Sequence, residues 1–211
     1  VIDDISLNQI KGSSIIRFNY EQIYNNSKSQ KLLEDGWLTT DNVLTEKFSK
    51  SLSNYKKPFI GISQRSAFIA DTRKLLQVDF DFMKKILSRC KNYTWLNIDP
   101  CISSEEAKSI SEELDINFIT PKFDRYNDLE SLASFLKALD LIVIPNNSYM
   151  DFASAIKVKS LVLSPLGTCK YWYKENGKYL FSNHSTFIER KSTWEDYANQ
   201  IEKIIKDIIS K

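Results

Sequence analysis

The chain has 211 residues, enough for one well-buried domain or for one domain with an appendage. Its 42% hydrophobic and 27% charged residues are ordinary for a globular protein, and 29 Lys and Arg against 27 Asp and Glu leave a net charge of +2, too weak a field to mark a nucleic-acid surface. No apolar run is long enough to cross a bilayer, and Val1 to Ile16 lacks the basic start and continuous apolar segment of a signal peptide, so the expected address is cytoplasmic.

Cys90, Cys101 and Cys169 are an odd number without metal-ligand spacing, and they read as reduced thiols. The single histidine, His184, makes a three-histidine site impossible. No motif calls for a cofactor.

Residues 1–56 read as an N-terminal extension, partly helical, with Leu44, Phe48 and Leu52 on one side of a helix beginning near Asp41. Residues 57–211 read as one lobe, because from Lys57 onward short apolar runs alternate with amphipathic segments. The first run is Pro58 to Ser63, followed by a helical face of Met83, Ile86, Leu87 and Cys90. Thr94 to Ile98 is the second strand. Ser103 with Glu106 then forms a capping box for a helix bearing Ala107, Ile110 and Leu114, which leads to the short strand Asn117 to Ile119.

Asn127 is placed to cap a helix bearing Leu129, Leu132, Ala133, Leu136 and Leu139, which runs into the strand Asp140 to Ile144. Asn146, Asn147 and Ser148 offer caps for a short helix to Ile156, and Lys159 to Ser164 is a further strand. Thr186 to Glu189 adds a last strand, and Thr193 caps a closing helix with Trp194, Tyr197, Ile201, Ile204, Ile205 and Ile208 on one face. The pattern is that of an α/β, doubly wound, mainly parallel Rossmann-like sheet.

In such a sheet ligands bind beyond the carboxyl ends of the strands, where strand order reverses. For the order 3-2-1-4-5 that point lies between the strand ending at Ser63 and the strand ending at Ile144. The first loop there carries Arg65, Ser66 and Arg73, and arginine forks suit phosphate oxygens. The second carries Asn146, Asn147 and Ser148 at a helix N-terminus, whose amides and dipole favour an anion. Each loop has a plainer reading, as solvated arginines and as a common helix cap. A third loop contains Gly167, which suits either close backbone approach to a ligand or a simple turn, and Tyr171, Trp172, Tyr173 and Tyr179 offer ring surfaces for stacking or packing. There is no G-x-G-x-x-G and no Walker A sequence, which disfavours an ordinary NAD dehydrogenase or P-loop NTPase.

The stretches Phe59 to Ser66 with Arg73, Asp128 to Ile144, Asn147-Ser148 to Ala155, and Trp172, Tyr179 and Trp194 resemble the C-terminal lobe of GT-B glycosyltransferases of the heptosyltransferase type, especially those attached to tetratricopeptide repeats. The resemblance covers about residues 37–205. It implies a lobe that binds a nucleoside-diphosphate sugar, with Arg65, Asn147 and Ser148 near the diphosphate.

Two positions depart from the family pattern: Asp151 stands where a histidine is usual, and Gln64 stands where a tryptophan precedes the arginine. A carboxylate at Asp151 repels a diphosphate unless a cation or a different donor intervenes. The resemblance also implies an N-terminal lobe that binds the acceptor and supplies the base, so that this chain alone does not turn over, and that lobe or tetratricopeptide repeats are the expected partner. A noncatalytic scaffold that keeps the fold is the alternative reading.

Overall fold

In the computed structural model the described residues are Gly36, 38–64, 78–164 and 184–210. Helix α1 (Asn42–Leu52) precedes strand β1 (Phe59–Ile62), and then follow α2 (Phe80–Arg89), β2 (Thr94–Asn97), α3 (Ser104–Leu114) and β3 (Asn117–Ile119). The second half comprises α4 (Leu129–Lys137), β4 (Leu141–Pro145), α5 (Ser148–Ala155), β5 (Ser160–Ser164), β6 (Ser185–Glu189) and α6 (Trp194–Ile209).

All six strands are parallel, in the order β3-β2-β1-β4-β5-β6. The chain therefore winds outward from β1 to β3, returns to β4 beside β1, and winds outward again. This is the doubly wound arrangement expected from the alternation of strands and helices, with Ile60, Leu96, Phe118, Ile142 and Leu161 all on strands.

Strand periodicity divides the core into two layers. Ile60, Ile62, Trp95, Leu141, Val143, Leu161 and Leu163 face α2, α3 and α6, where they meet Met83, Leu87, Ile110, Tyr197 and Ile201. The residues between them, including Phe59, Leu96, Ile142, Ile144 and Val162, face α4 and α5 and meet Leu132, Phe135, Leu136 and Ala153. Burial on both faces is why β1 and β4 are continuous apolar runs in the sequence. At the centre, a Cβ on Gly61 would lie 2.8 Å from Leu139 Cδ1 and 3.1 Å from Ile142 Cγ2, so the glycine is set by the closeness of β4 and of Leu139 just before it.

Helix α1 belongs to this packing. Leu52 is buried, and the Phe48 ring lies 5.3 Å from Phe135 and 5.5 Å from Phe123. Upstream, Leu38 N donates to Ala155 O at 2.9 Å, and Gly36 holds φ +81 where a Cβ would stand 2.7 Å from that same carbonyl. The end of the N-terminal extension thus closes over α4 and α5.

Local signals set most helix starts. The Ser103–Glu106 capping box forms in both directions, and Thr193 Oγ1 accepts from Asp196 N at the start of α6. One expectation shifts by a residue: Asp128, not Asn127, caps α4. Asn127 is already engaged by Asp124, whose carboxylate accepts from its backbone N and from Nδ2, and this leaves Asp128 Oδ1 to take the Ser131 amide.

Candidate functional site at the carboxyl edge of the sheet

The strand order brings the exits of β1 and β4 side by side. Ser63 N donates to Val143 O at 3.1 Å, so Ser63 and Gln64 leave the sheet next to the segment that becomes Asn146 and Asn147. Asn147 is the N-cap of α5 and its side chain accepts from Tyr149 N at 3.0 Å. Asn146 is half-buried, Ser148 is exposed, and Asp151 is exposed in the first turn of α5. Of the sequence-derived candidates, Asn146, Asn147, Ser148 and Asp151 therefore share one helix start at the switch point. Arg65, Ser66, Arg73 and Gly167 lie outside the described residues, as do the ring-bearing Tyr171, Trp172, Tyr173 and Tyr179.

A partly buried polar frame supports this edge, built from residues that the sequence reading did not select. Asp99, just past β2, accepts from Gln64 N at 2.8 Å through Oδ2 and from Cys101 N at 2.8 Å through Oδ1. Arg125, past β3, donates to the carbonyls of Asn97, Asp99 and Ile102 at 3.2, 2.6 and 2.9 Å. Tyr149, in the first turn of α5, donates to Ile98 O at 2.8 Å. The exits of β1, β2 and β3 and the start of α5 are thereby tied together.

The electrostatics of the frame follow from its burial. Burial lowers the pKa of the Arg125 guanidinium, with Tyr149 and Asp99 acting in the opposite direction. Burial and the Asp99 carboxylate push the Tyr149 phenol well up, so at neutral pH it remains a hydrogen-bond donor.

Among the described residues, four buried side-chain atoms have no hydrogen-bond partner: Gln64 Oε1, Asn146 Nδ2, Ser164 Oγ and Arg190 Nε. Gln64, which bonds Val78 O, and Arg190, which lies over the Trp194 ring, are on the face covered by α2 and α6, whereas Asn146 and Ser164 continue the positions that face α4 and α5. Gln64 follows β1, Asn146 follows β4, Ser164 ends β5 and Arg190 follows β6, so all four lie at the carboxyl edge on four neighbouring strands. Leaving one such group unsatisfied costs about 1–3 kcal/mol, and native folds carry few of them. Here four such atoms belong to residues at the ends of neighbouring strands.

The amino-terminal edge is different. A cleft of about 390 Å³ lies there between Lys57, Pro58, Asp140, Lys159, Ile208 and Ile209. Its carboxylate is occupied: Asp140 accepts from Phe59 N at 2.8 Å and pairs with Lys57 at 3.4 Å. Among the described residues no group of three or more His, Cys, Asp and Glu side chains gathers to hold a metal ion, and no helix is long and apolar enough to cross a membrane.

No protein-family model matches the sequence, and no curated protein matches it at a significant level. Solved structures do match in fold. The ADP-heptose lps heptosyltransferase II of E. coli superposes with a TM-score of 0.58 at 11% identity, over 82% of this chain and 53% of that one. A glycosyl transferase family 9 protein from Veillonella parvula DSM 2008 gives 0.52 at 16% identity, over 83% and 47%. The E. coli heptosyltransferase WaaC, solved with ADP-2-deoxy-2-fluoro heptose, gives 0.50 at 12% identity, over 81% and 49%. At these identities the likeness is one of fold: the sheet is of the kind found in heptosyltransferases and related glycosyltransferases. This chain spans about half the length of each of them.

Proposed function

We propose that this chain is the donor-binding lobe of a GT-B glycosyltransferase of the heptosyltransferase type, holding a nucleoside-diphosphate sugar beyond the carboxyl ends of β1, β4, β5 and β6. The observation that carries the reading is the set of four orphaned polar atoms at that edge. Two of them, on Gln64 and Asn146, flank the switch point between β1 and β4, where an open α/β sheet binds ligands. The fold neighbour WaaC was solved with an ADP-sugar analogue, which agrees with this choice of ligand class.

In this reading Arg65, Ser66 and Arg73 from the loop after β1 face the diphosphate together with Asn146, Asn147 and Ser148 at the start of α5, and Gly167 borders the nucleoside or the sugar. Arginine forks and helix-terminal amides stabilise the charge that develops on a departing nucleoside diphosphate. Asp151, one turn into α5, opposes that charge and weakens binding. The acceptor site and the base come from an N-terminal lobe of the whole protein, so the 211-residue chain binds donor without transferring sugar.

Titration calorimetry with ADP, GDP and UDP, each with and without Mg²⁺, tests the reading. At least one nucleotide should bind, and Arg65→Ala should weaken it by about 1.5–3 kcal/mol, the value of a charge-assisted hydrogen bond. Absence of heat with every nucleotide would leave a scaffold module that keeps the fold as the remaining account.

A further inference from the structure

Gln64 is held at one end only. Its Nε2 donates to the carbonyl of Val78 at 3.0 Å, and a carbonyl accepts only from the NH₂ end of a carboxamide, so this partner settles which way the amide faces. The other end, Oε1, is buried without a donor on a residue that is 8% exposed. The backbone N–H of the same residue is already used by Asp99. An acceptor is therefore waiting at the exit of β1, one strand away from the N-terminus of α5.

The remaining orphans have a different polarity. Arg190 Nε can only donate, the Ser164 hydroxyl, 1% exposed, can donate or accept, and Asn146 Nδ2 stands beside a helix start that favours an anion. Phosphate oxygens match these groups. They do not match Gln64 Oε1, because two acceptors with no proton between them repel. The group above β1 must bring its own hydrogen, and in a nucleoside-diphosphate sugar the groups flanking the phosphates that can do so are hydroxyls.

We infer that Gln64 is a specificity-determining residue of the proposed site, its Oε1 accepting a hydrogen bond from a ligand hydroxyl next to the diphosphate, on the ribose or on the transferred sugar. This rests on the nucleotide-sugar reading above. It adds an orientation, with the phosphates over β4 and α5 and the hydroxyl-bearing group over β1. It also gives the departure at Gln64 from the family pattern a chemical use, since a site with a fixed buried acceptor rejects an analogue that lacks the matching hydroxyl.

The test measures three probes by calorimetry: inorganic pyrophosphate, the nucleoside diphosphate that the wild-type chain binds, and its glucose conjugate. Gln64→Leu and Gln64→Met, two apolar replacements of different shape, are compared with wild type, and thermal unfolding of the ligand-free proteins identifies a variant that has not folded. Pyrophosphate affinity should stay within about twofold, while the hydroxyl-bearing probe should weaken on the order of tenfold, the effect of one lost hydrogen bond. Equal weakening of nucleotide and conjugate places the hydroxyl on the ribose; weakening of the conjugate alone places it on the sugar. Unchanged binding of all three probes would mean that a buried water satisfies Oε1 and would overturn the inference. Proportional loss of pyrophosphate would overturn it too, as a collapsed loop rather than a lost contact. A wild-type chain that binds none of the probes removes the proposed function itself, a different result from either.

Discussion

The carboxylate of Asp99 accepts the backbone N–H of Gln64 at 2.8 Å, with both residues buried, and so fastens the exit of β1 to the exit of β2. The same carboxylate takes Cys101 N at 2.8 Å. Asp99→Ala leaves two backbone donors without their acceptor and should cost about 2–4 kcal/mol in urea unfolding, with Asp99→Asn falling between it and wild type. Equal midpoints for wild type and Asp99→Ala would show that water replaces the carboxylate freely.

Arg125 spreads three hydrogen bonds over carbonyls at the end of β2 and the turn that follows, and Tyr149 adds a fourth from α5. Lysine has no planar fork, so Arg125→Lys should lose about 1–2 kcal/mol despite keeping its charge. Tyr149→Phe should lose about 1 kcal/mol. Both side chains brace the same turn, so the double variant should depart from additivity by about 0.5 kcal/mol or more in a denaturation cycle.

At the start of α5 one substitution should lower stability and another should move stability and ligand affinity in opposite directions. Asn147→Ala removes the N-cap and should cost about 1 kcal/mol of stability, while Asn147→Ser should cost little. Asp151→His replaces a first-turn carboxylate that suits the helix dipole, so the fold should become slightly less stable. Nucleoside diphosphate binding should tighten, because a negative charge has left the proposed site. Calorimetry and thermal unfolding on one preparation read both quantities, and weaker nucleotide binding by Asp151→His would contradict the proposed placement of the diphosphate.

Stability should fall at both ends of the pH range. Hydrogen bonds from Lys85 and Lys206 hold Glu195 and Glu202 below the ordinary glutamate value of 4.5, and the Ser131 side chain does the same for Asp128. A depressed carboxylate contributes stability above its unfolded pKa and loses it as pH falls through the folded one, so the acid limb should begin near pH 4.5 and extend below it. At the other end, burial and then Glu202 push the Cys90 thiol from 9.0 up to about 11. Tyr93 is raised by burial and Lys206 by its bond to Glu202. Groups with raised values contribute fully below their unfolded pKa, so stability should decline as pH rises from 9.0 toward about 11. Thermal midpoints across pH, with Glu202→Gln flattening the acid limb, check the first statement. Thiol labelling at pH 8 should reach Cys90 only on unfolding, because the buried neutral thiol is not the nucleophile.

The elements and their order were legible in the sequence because their causes are short-range. Short continuous apolar runs, helical faces of period 3.6 and caps such as Ser103 with Glu106 act within a few residues, and they place β1 to β6 and the helix starts. Even there, α4 begins at Asp128 because Asp124 occupies Asn127 first, a competition between neighbours that the capping preference alone does not rank. The switch point, with Asn146, Asn147 and Ser148 beside the exit of β1, also followed from topology. The polar frame did not. Gln64 and Asp99 are 35 residues apart and Tyr149 and Ile98 are 51 apart, and nothing near Asp99, Arg125 or Tyr149 in the chain signals a partner. Strand order and register bring such groups together, and only when every buried donor and acceptor has met its partner, or failed to, do Gln64, Asn146, Ser164 and Arg190 stand out as the ones left over.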